Sequence, residues 1–342
     1  MIEFRPIEAE RSLWAAYHAF RADRHAEVDP SDPLPPDEHV EKALRFADPH
    51  QQILRYLFLD GDGVAGSLTL WRVLPASPEY EEHRRFMRVD AQIRSGNRGQ
   101  GIGLDFARKV LATAKEWEKE VITASTHEET GQRFLARLGA KARYREAESR
   151  LYMSEVDWDQ VQRWLDEGLA RNPGISLELF PTDVPDELLD AYLPVLTEIN
   201  NDMPDEEMET GEDILDRQTW EILRDWLANR EARHPTVLTL EPDGEVSALT
   251  DVMFEKAVPH AIHQWATGVR KHHRGRGLGK LVKAKMLLYL REQCPEALYV
   301  KTENARSNDA MLHINIAMGF RFHREHVAYQ MKTAELDESL AL

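Results

Sequence analysis

Arg98-Gly99-Gln100-Gly101-Ile102-Gly103 and Arg274-Gly275-Arg276-Gly277-Leu278-Gly279 repeat one pattern, R-G-x-G-x-G, at a separation of 274 − 98 = 176 in a chain of 342 residues. Other landmarks keep nearly that spacing: Asp62-Gly63 with Asp243-Gly244, Gly139 with Gly319, and Tyr152 with Tyr329. The repeat therefore covers whole domains, and the chain is about twice the length of an ordinary compact domain. Each loop follows the same elements. Two β-rich runs joined by an Asp-Gly turn read as a hairpin, at 53–59 with 64–73 and at 237–240 with 246–254. A third strand, 86–93 or 262–269, leads into the glycine loop, after which the apolar period changes from two to about 3.6. A strand (121–125; 297–302), a helix (132–138; 310–318) and a closing strand complete each half. The expected class is α/β (α+β), with two tandem folds, each a mixed, mostly antiparallel central sheet flanked by helices. The expected boundaries are 1–156, a linker helix at 157–174 ending on Pro173-Gly174, and 175–342.

Composition narrows the function. With 42% hydrophobic and 30% charged residues the chain reads as globular. No apolar run approaches the roughly 20 residues of a membrane span, and Met1 to Pro6 carry no secretory pattern, so a cytoplasmic place is expected, with no membrane partner. The lone Cys294 excludes an intrachain disulfide and a cysteine zinc site, and no metal is expected. A net charge of −17 argues against nucleic acid and favours cationic ligands such as amines. A monomer or homodimer suits either half.

Three closely spaced glycines at a helix N-terminus let backbone N–H groups and the helix dipole approach an anion such as a pyrophosphate. The dinucleotide fingerprint competes, but it requires G-x-G-x-x-G in a βαβ unit, whereas hairpins precede these loops. On these residues the sequence resembles the GNAT superfamily, whose Q/R-x-x-G-x-G/A signature is matched by Arg98, Gly101, Gly103 and by Arg274, Gly277, Gly279. It looks like the tandem bacterial members, a group that includes mycothiol synthase. The resemblance implies acetyl-CoA as acyl donor and N-acetyltransferase activity. It implies that Thr267, Gly268 and Val269 hold the pantetheine arm, and that Arg274, Gly275, Arg276, Gly277, Leu278, Gly279 and Lys280 wrap the phosphates. Asn304, Asn308 and Asn315 fall in the family's later motif. The corresponding N-terminal set is Ile93, Arg98, Gly99, Gln100, Gly101, Ile102 and Gly103.

Acetyl transfer needs a neutral amine held at the thioester and a proton acceptor near it. The resemblance implies a base on the strand before the loop. Eleven residues before Arg274 stands His263, whose counterpart by the 176-residue spacing is Met87, which cannot take a proton. The C-terminal module is thus expected to carry the chemistry and the N-terminal one to bind donor or serve as scaffold. Glu255 and His260 are alternative bases. A tyrosine often present in the later helix is replaced by Asn315, and Tyr329 on the last strand is the candidate acid. The acidic run from Asn200 to Glu207, with Glu209, offers Asn201 and Asp202, with Glu255, as contacts for an ammonium group. The expected reaction is direct attack by a small, cationic primary amine in a ternary complex. The alternatives are a non-catalytic acetyl-CoA sensor and an acetyltransferase of protein or peptide amines.

Overall fold

The structure, a computed structural model, describes residues 1–341. The chain divides into two compact units. Unit 1 comprises Met1–Arg145, Glu207–Glu212 and the chain from His326 onward; unit 2 comprises Glu146–Glu206 and Asp213–Glu325.

In chain order the first part contains β1 (Ile2–Glu3), α1 (Arg11–Val28), α2 (Asp37–Arg45), β2 (Gln51–Asp60), β3 (Gly63–Val73) and α3 (Tyr80–His83). Then come β4 (Phe86–Ile93), α4 (Ile102–Glu116), β5 (Val121–Thr126) and α5 (Glu129–Arg137). The next strand, β6 (Lys141–Tyr152), leads to α6 (Trp158–Arg171), β7 (Ser176–Phe180), α7 (Leu189–Asn201), α8 (Arg217–Arg230) and β8 (Ala232–Arg233). They are followed by β9 (Thr236–Leu240), β10 (Val246–Glu255), β11 (Ala261–Val269), α9 (Leu278–Gln293), β12 (Tyr299–Ala305), α10 (Asp309–Met318), β13 (Arg321–Lys332) and α11 (Thr333–Ala341). Within unit 1 the strands run β1-β2-β3-β4-β5 and then the end of β13; within unit 2 they run β6-β12-β11-β10-β9-β7, with β8 on β10. Pairing is antiparallel except between β4 and β5 and between β11 and β12.

The closing strands differ from expectation. Val327–Lys332 of the last strand pair with β5, and Glu146–Tyr152 of the sixth pair with β12, so each sheet is completed by the other half's closing strand. The boundaries at 156 and 175 therefore do not separate the units. The reason is physical: an alternating apolar strand specifies which of its faces is buried but not which neighbour it bonds. The anticipated linker helix is α6, capped by the Asp157 carboxylate accepting from Gln160 N at 2.9 Å, and it belongs to unit 2. Gly168 lets it sit against α9, since a Cβ there would lie 2.9 Å from Leu281.

Both sheets carry helices on both faces. In unit 1, Leu68, Leu70 and Met87 pack with Phe106 and Val110 of α4, while Leu57 packs on the other face with Trp14 and Phe20 of α1. In unit 2, Ile262 and Val300 join Leu281, Val282 and Leu290 of α9, while Leu249 and Ala266 join Leu193 and Leu196 of α7. Each fully buried Val, Leu, Ile, Phe or Met side chain among these contributes ~1.5–3 kcal/mol relative to its exposure in the unfolded chain. No helix among the described residues is long and apolar enough to cross a membrane.

Candidate active sites

Both parallel strand pairs fork. β4 and β5 are bonded only from Phe86↔Val121 to Val89↔Ala124, after which Asp90–Ile93 stay with β3. β11 and β12 are bonded only at Ala261–His263, and the rest of β11 stays with β10. A fork leaves backbone donors and acceptors along its edges that an extended, amide-bearing ligand can satisfy.

The glycine loops stand at the mouths of these forks. Gly99 and Gly101 have φ of 78° and 89°, and Gly275 and Gly277 have 80° and 81°, values that strain any side chain. Among the described residues the N–H groups of residues 99–103 and 275–279 make no backbone hydrogen bond, so each helix opens on a row of free donors. The two signature arginines do the same work. Arg98 Nε donates to Ile93 O at 3.3 Å and Arg274 Nε to Val269 O at 3.1 Å, satisfying the last carbonyl of each diverging strand.

In unit 1 the fork opens into a cavity of about 720 Å³. Its lining includes Arg24 and Val28 of α1 on one face of the sheet, and Phe106, Val110 and Phe134 of α4 and α5 on the other. Residues from both faces can line one cavity because the strands part there, so the space runs through the sheet. Gly99, Gly101 and Gly103 stand at its rim, and Asp90 lies in it. The Asp90 carboxyl reaches solvent through the cavity but is surrounded by protein, and this burial raises its pKa. The fork's cations are already engaged: Arg98 with Glu128 at 2.7 Å, and Arg24 with Glu27 and Glu128.

Unit 2 has a feature that unit 1 lacks. Between the pairs Thr250↔Thr267 and Val252↔Gln264, β10 advances two residues while β11 retreats three, so β11 carries a one-residue bulge at 265–266. β3 and β4 run from Gly66↔Ile93 to Trp71↔Arg88 without a shift. The bulge corrects one alignment. Ile262 bonds beside Val300 as Met87 does beside Ile122, so the counterpart of His263 is Arg88 and not Met87. An arginine cannot accept a proton either.

His263 and Trp265 share the face toward α8. The Trp265 ring lies 6.1 Å from Trp226 and 4.9 Å from His234. Burial, with the Lys301 charge beside it, pushes the His263 imidazole down to about 3, so it is unprotonated at neutral pH but a weak proton acceptor. Opposite the bulge, His234 Nε2 lies 3.2 Å from the buried carboxylate of Asp251, to which Tyr192 also donates at 3.5 Å. On the sheet's other face the wholly buried Lys283 donates from α9 to Gln264 at 3.3 Å, and burial lowers its pKa to about 7.

Several expected site residues are occupied internally. Asp202 pairs with Lys271 at 2.6 Å and with Arg274, and its carboxyl pKa is lowered by Lys271 and then Arg274. It therefore stands on the C-terminal cradle. Asn201 clamps a loop, accepting from Asp213 N at 2.9 Å and donating to its carbonyl at 3.0 Å. Glu255 holds Arg230 at 3.0 Å. The acidic run beyond them is spent likewise: Glu207 pairs with Arg143 at 2.9 Å, and Glu209 with Lys332 at 2.7 Å. Arg276 is bound to Glu241 at 2.8 Å, and Lys280 lies over the Trp164 ring at 4.8 Å. Asn315 donates to Asn304 at 2.8 Å, and Asn308 caps α10 by accepting from Met311 N. Tyr329 is misplaced by expectation: it lies 7% exposed in the core of unit 1, opposite Ala124, because its strand closes that sheet. Thr267 keeps its hydroxyl on Thr250 at 2.7 Å, and Gly268 seats α7, since a Cβ there would lie 2.4 Å from Ile199.

Neither a protein-family model nor a curated protein matches the sequence. The fold is similar to solved structures. A tandem GNAT protein from the clavulanic acid biosynthesis pathway, without acetyl-CoA, superposes with a TM-score of 0.75 at 22% identity, covering 97% of this chain and 98% of that one. A GCN5-related N-acetyltransferase from Sphaerobacter thermophilus gives 0.64 at 15% identity, over 95% and 94% of the two chains. A glucosamine N-acetyltransferase region of a fungal multi-domain β-N-acetylglucosaminidase gives 0.64 at 10% identity, over 96% of this chain and 38% of that one.

Proposed function

We propose, from a chain that has the tandem GNAT fold, that it is an acetyl-CoA-dependent N-acetyltransferase acting on a primary amine of a small molecule. The observation that carries this reading is the pairing, in both units, of a free row of loop N–H groups with a forked strand pair. The residues suit the donor: the loops offer backbone donors to the pyrophosphate, and Gly99, Gly101, Gly275 and Gly277 leave it room. The fork edges suit the amides of the pantetheine arm. Bound there, acetyl-CoA supplies the thioester that the amine attacks directly.

Unit 2 is the better equipped to orient that attack. Its bulge turns backbone groups of residues 265–266 out of the ladder, as stabilising an oxyanion requires. His263 accepts a hydrogen bond from an incoming neutral amine and orders it or a water, while its low basicity leaves the bulk of proton removal to solvent. Trp265 offers an aromatic ring to a cationic acceptor, while its neighbour Trp226 already carries the Arg230 guanidinium at 4.4 Å. A sensor without turnover is the second reading, favoured by Asp202 on Arg274 and Lys271, because a carboxylate there opposes phosphate binding.

Calorimetry with acetyl-CoA tests the donor assignment. Gly101→Glu and Gly277→Glu should each remove binding at one cradle, and the double variant should bind none. Undiminished binding by the double variant would place the donor elsewhere.

A further inference from the structure

Across the α1 face of the unit 1 sheet, Arg55, Thr69 and Asp90 stand in register on adjacent strands, and Ile53, Trp71 and Arg88 form the next row. Strands lie about 4.8 Å apart, so Arg55 and Arg88 flank Asp90 within about two strand spacings. Arg55 and Thr69 are half-buried on this face, whereas Arg88 and Asp90 are exposed to solvent, so the row runs from the interior out to an open edge. Arg55 is half-buried, and burial lowers its pKa; Tyr17 of α1 shares its field with Arg55 and Asp90. Among the described residues neither Arg55 nor Arg88 has a carboxylate partner, although the protein carries an excess of 60 − 43 = 17 acidic groups. Arg88 lies over the Trp71 ring at 4.9 Å, and the Asp90 carboxylate accepts a long hydrogen bond from Gln92 at 3.4 Å. The neighbouring Arg21 and Arg24 are, by contrast, committed to Asp37, Glu27 and Glu128. Asp90 and Gln92 of this face line the cavity that runs through the fork.

We propose that unit 1 is a second acyl-transfer site with its own acceptor, a small amine that also bears a carboxylate or phosphate: Arg55 and Arg88 hold the anionic group and Asp90 receives the amine proton. The site is accordingly opposite in charge preference to the protein's overall field. The acceptor nitrogen, as free amine, bonds to the thioester carbon on the α1 side of the fork, and the carbon–sulfur bond breaks. The nitrogen's proton passes to the Asp90 carboxylate and on to solvent, and the departing thiolate takes a proton from water, giving amide and CoA thiol.

The proposal rests on the reading of the glycine loops as acyl-CoA cradles. Its test uses the full chain carrying Gly277→Glu, so that turnover reports unit 1. Thiol release from acetyl-CoA is followed with amino acids and amino-sugar phosphates, each against its uncharged amide or unphosphorylated form. The anionic member of each pair should be preferred about tenfold in kcat/KM. Arg55→Ala should erase that preference through KM, and Arg55→Lys should restore part of it, which separates recognition from folding. Asp90→Asn should lower kcat about 10²-fold with acetyl-CoA affinity unchanged by calorimetry. Equal use of charged and uncharged acceptors, or full activity of Asp90→Asn, would overturn the proposal. Acetyl-CoA binding without turnover on any acceptor would overturn it and leave the donor reading standing; a parent protein that binds no acetyl-CoA would remove both.

Discussion

Replacing Lys283 by Met should stabilise unit 2 while abolishing part of its pH dependence. The amine is 2% exposed on α9, above the Phe320 ring, with Gln264 as its hydrogen-bond partner. Burial lowers its pKa from 10.5 to about 7, a displacement of 10.5 − 7 = 3.5, which at ~1.4 kcal/mol per unit corresponds to about 5 kcal/mol. Between pH 7 and 10.5 the unfolded chain binds the proton that the folded chain has released, so stability rises with pH at up to ~1.4 kcal/mol per unit. Below pH 7 both states are protonated and the full cost persists; above 10.5 both are neutral and it vanishes. Methionine fills a similar volume without a proton to lose but leaves Gln264 Oε1 without its donor, which costs ~1–2 kcal/mol. The net gain at neutral pH is about 3 kcal/mol, or roughly 6–12 °C in Tm. Thermal melts and urea titrations of both proteins from pH 6 to 10 provide the assay. The stability difference should shrink as pH rises; parallel curves, or a variant less stable throughout, would refute the buried-amine argument.

Other outcomes follow from the sites. With His263 held near 3, the pH profile of kcat/KM should track the acceptor amine and show no step near 6.5; a step there that disappears in His263→Ala would contradict this. Asp202→Asn removes the carboxylate from Arg274 and Lys271, so in a Gly101→Glu background it should tighten acetyl-CoA binding about threefold to tenfold at low salt, with the gain fading as salt rises. Weaker binding would mean that Asp202 builds the cradle. Tyr329→Phe should leave kcat within about twofold, since the ring serves the core of unit 1, and a large loss would return Tyr329 to the chemistry.

The repeated unit was legible because its glycines have a conformational requirement that few other residues meet: Gly99, Gly101, Gly275 and Gly277 all have positive φ. The hairpins and the change of period fixed the order of elements for the same kind of local reason. The exchange of closing strands was not legible, because β6 and β13 present equivalent buried faces and their partners are chosen by tertiary geometry. Nor was the bulge: Trp265 and Ala266 are apolar on either face, so the inserted residue left no break in pattern and shifted the counterpart of His263 by one. Counting eleven residues back from Arg98 reaches Met87 and passes over Asp90, which stands three residues nearer the loop and faces the cavity. Asp202 and Glu209 read as an acidic loop because their cations, Arg274 and Lys332, lie 72 and 123 residues away in sequence.

The most direct measurement of the central claim is amine-dependent release of CoA thiol from acetyl-CoA, read together with the mass of the product. The parent protein should release thiol only with an acceptor that gains one acetyl group on nitrogen, and the Gly101→Glu, Gly277→Glu double variant should release none. Tight acetyl-CoA binding with no thiol release across amines of every charge class would contradict an enzyme and leave a sensor.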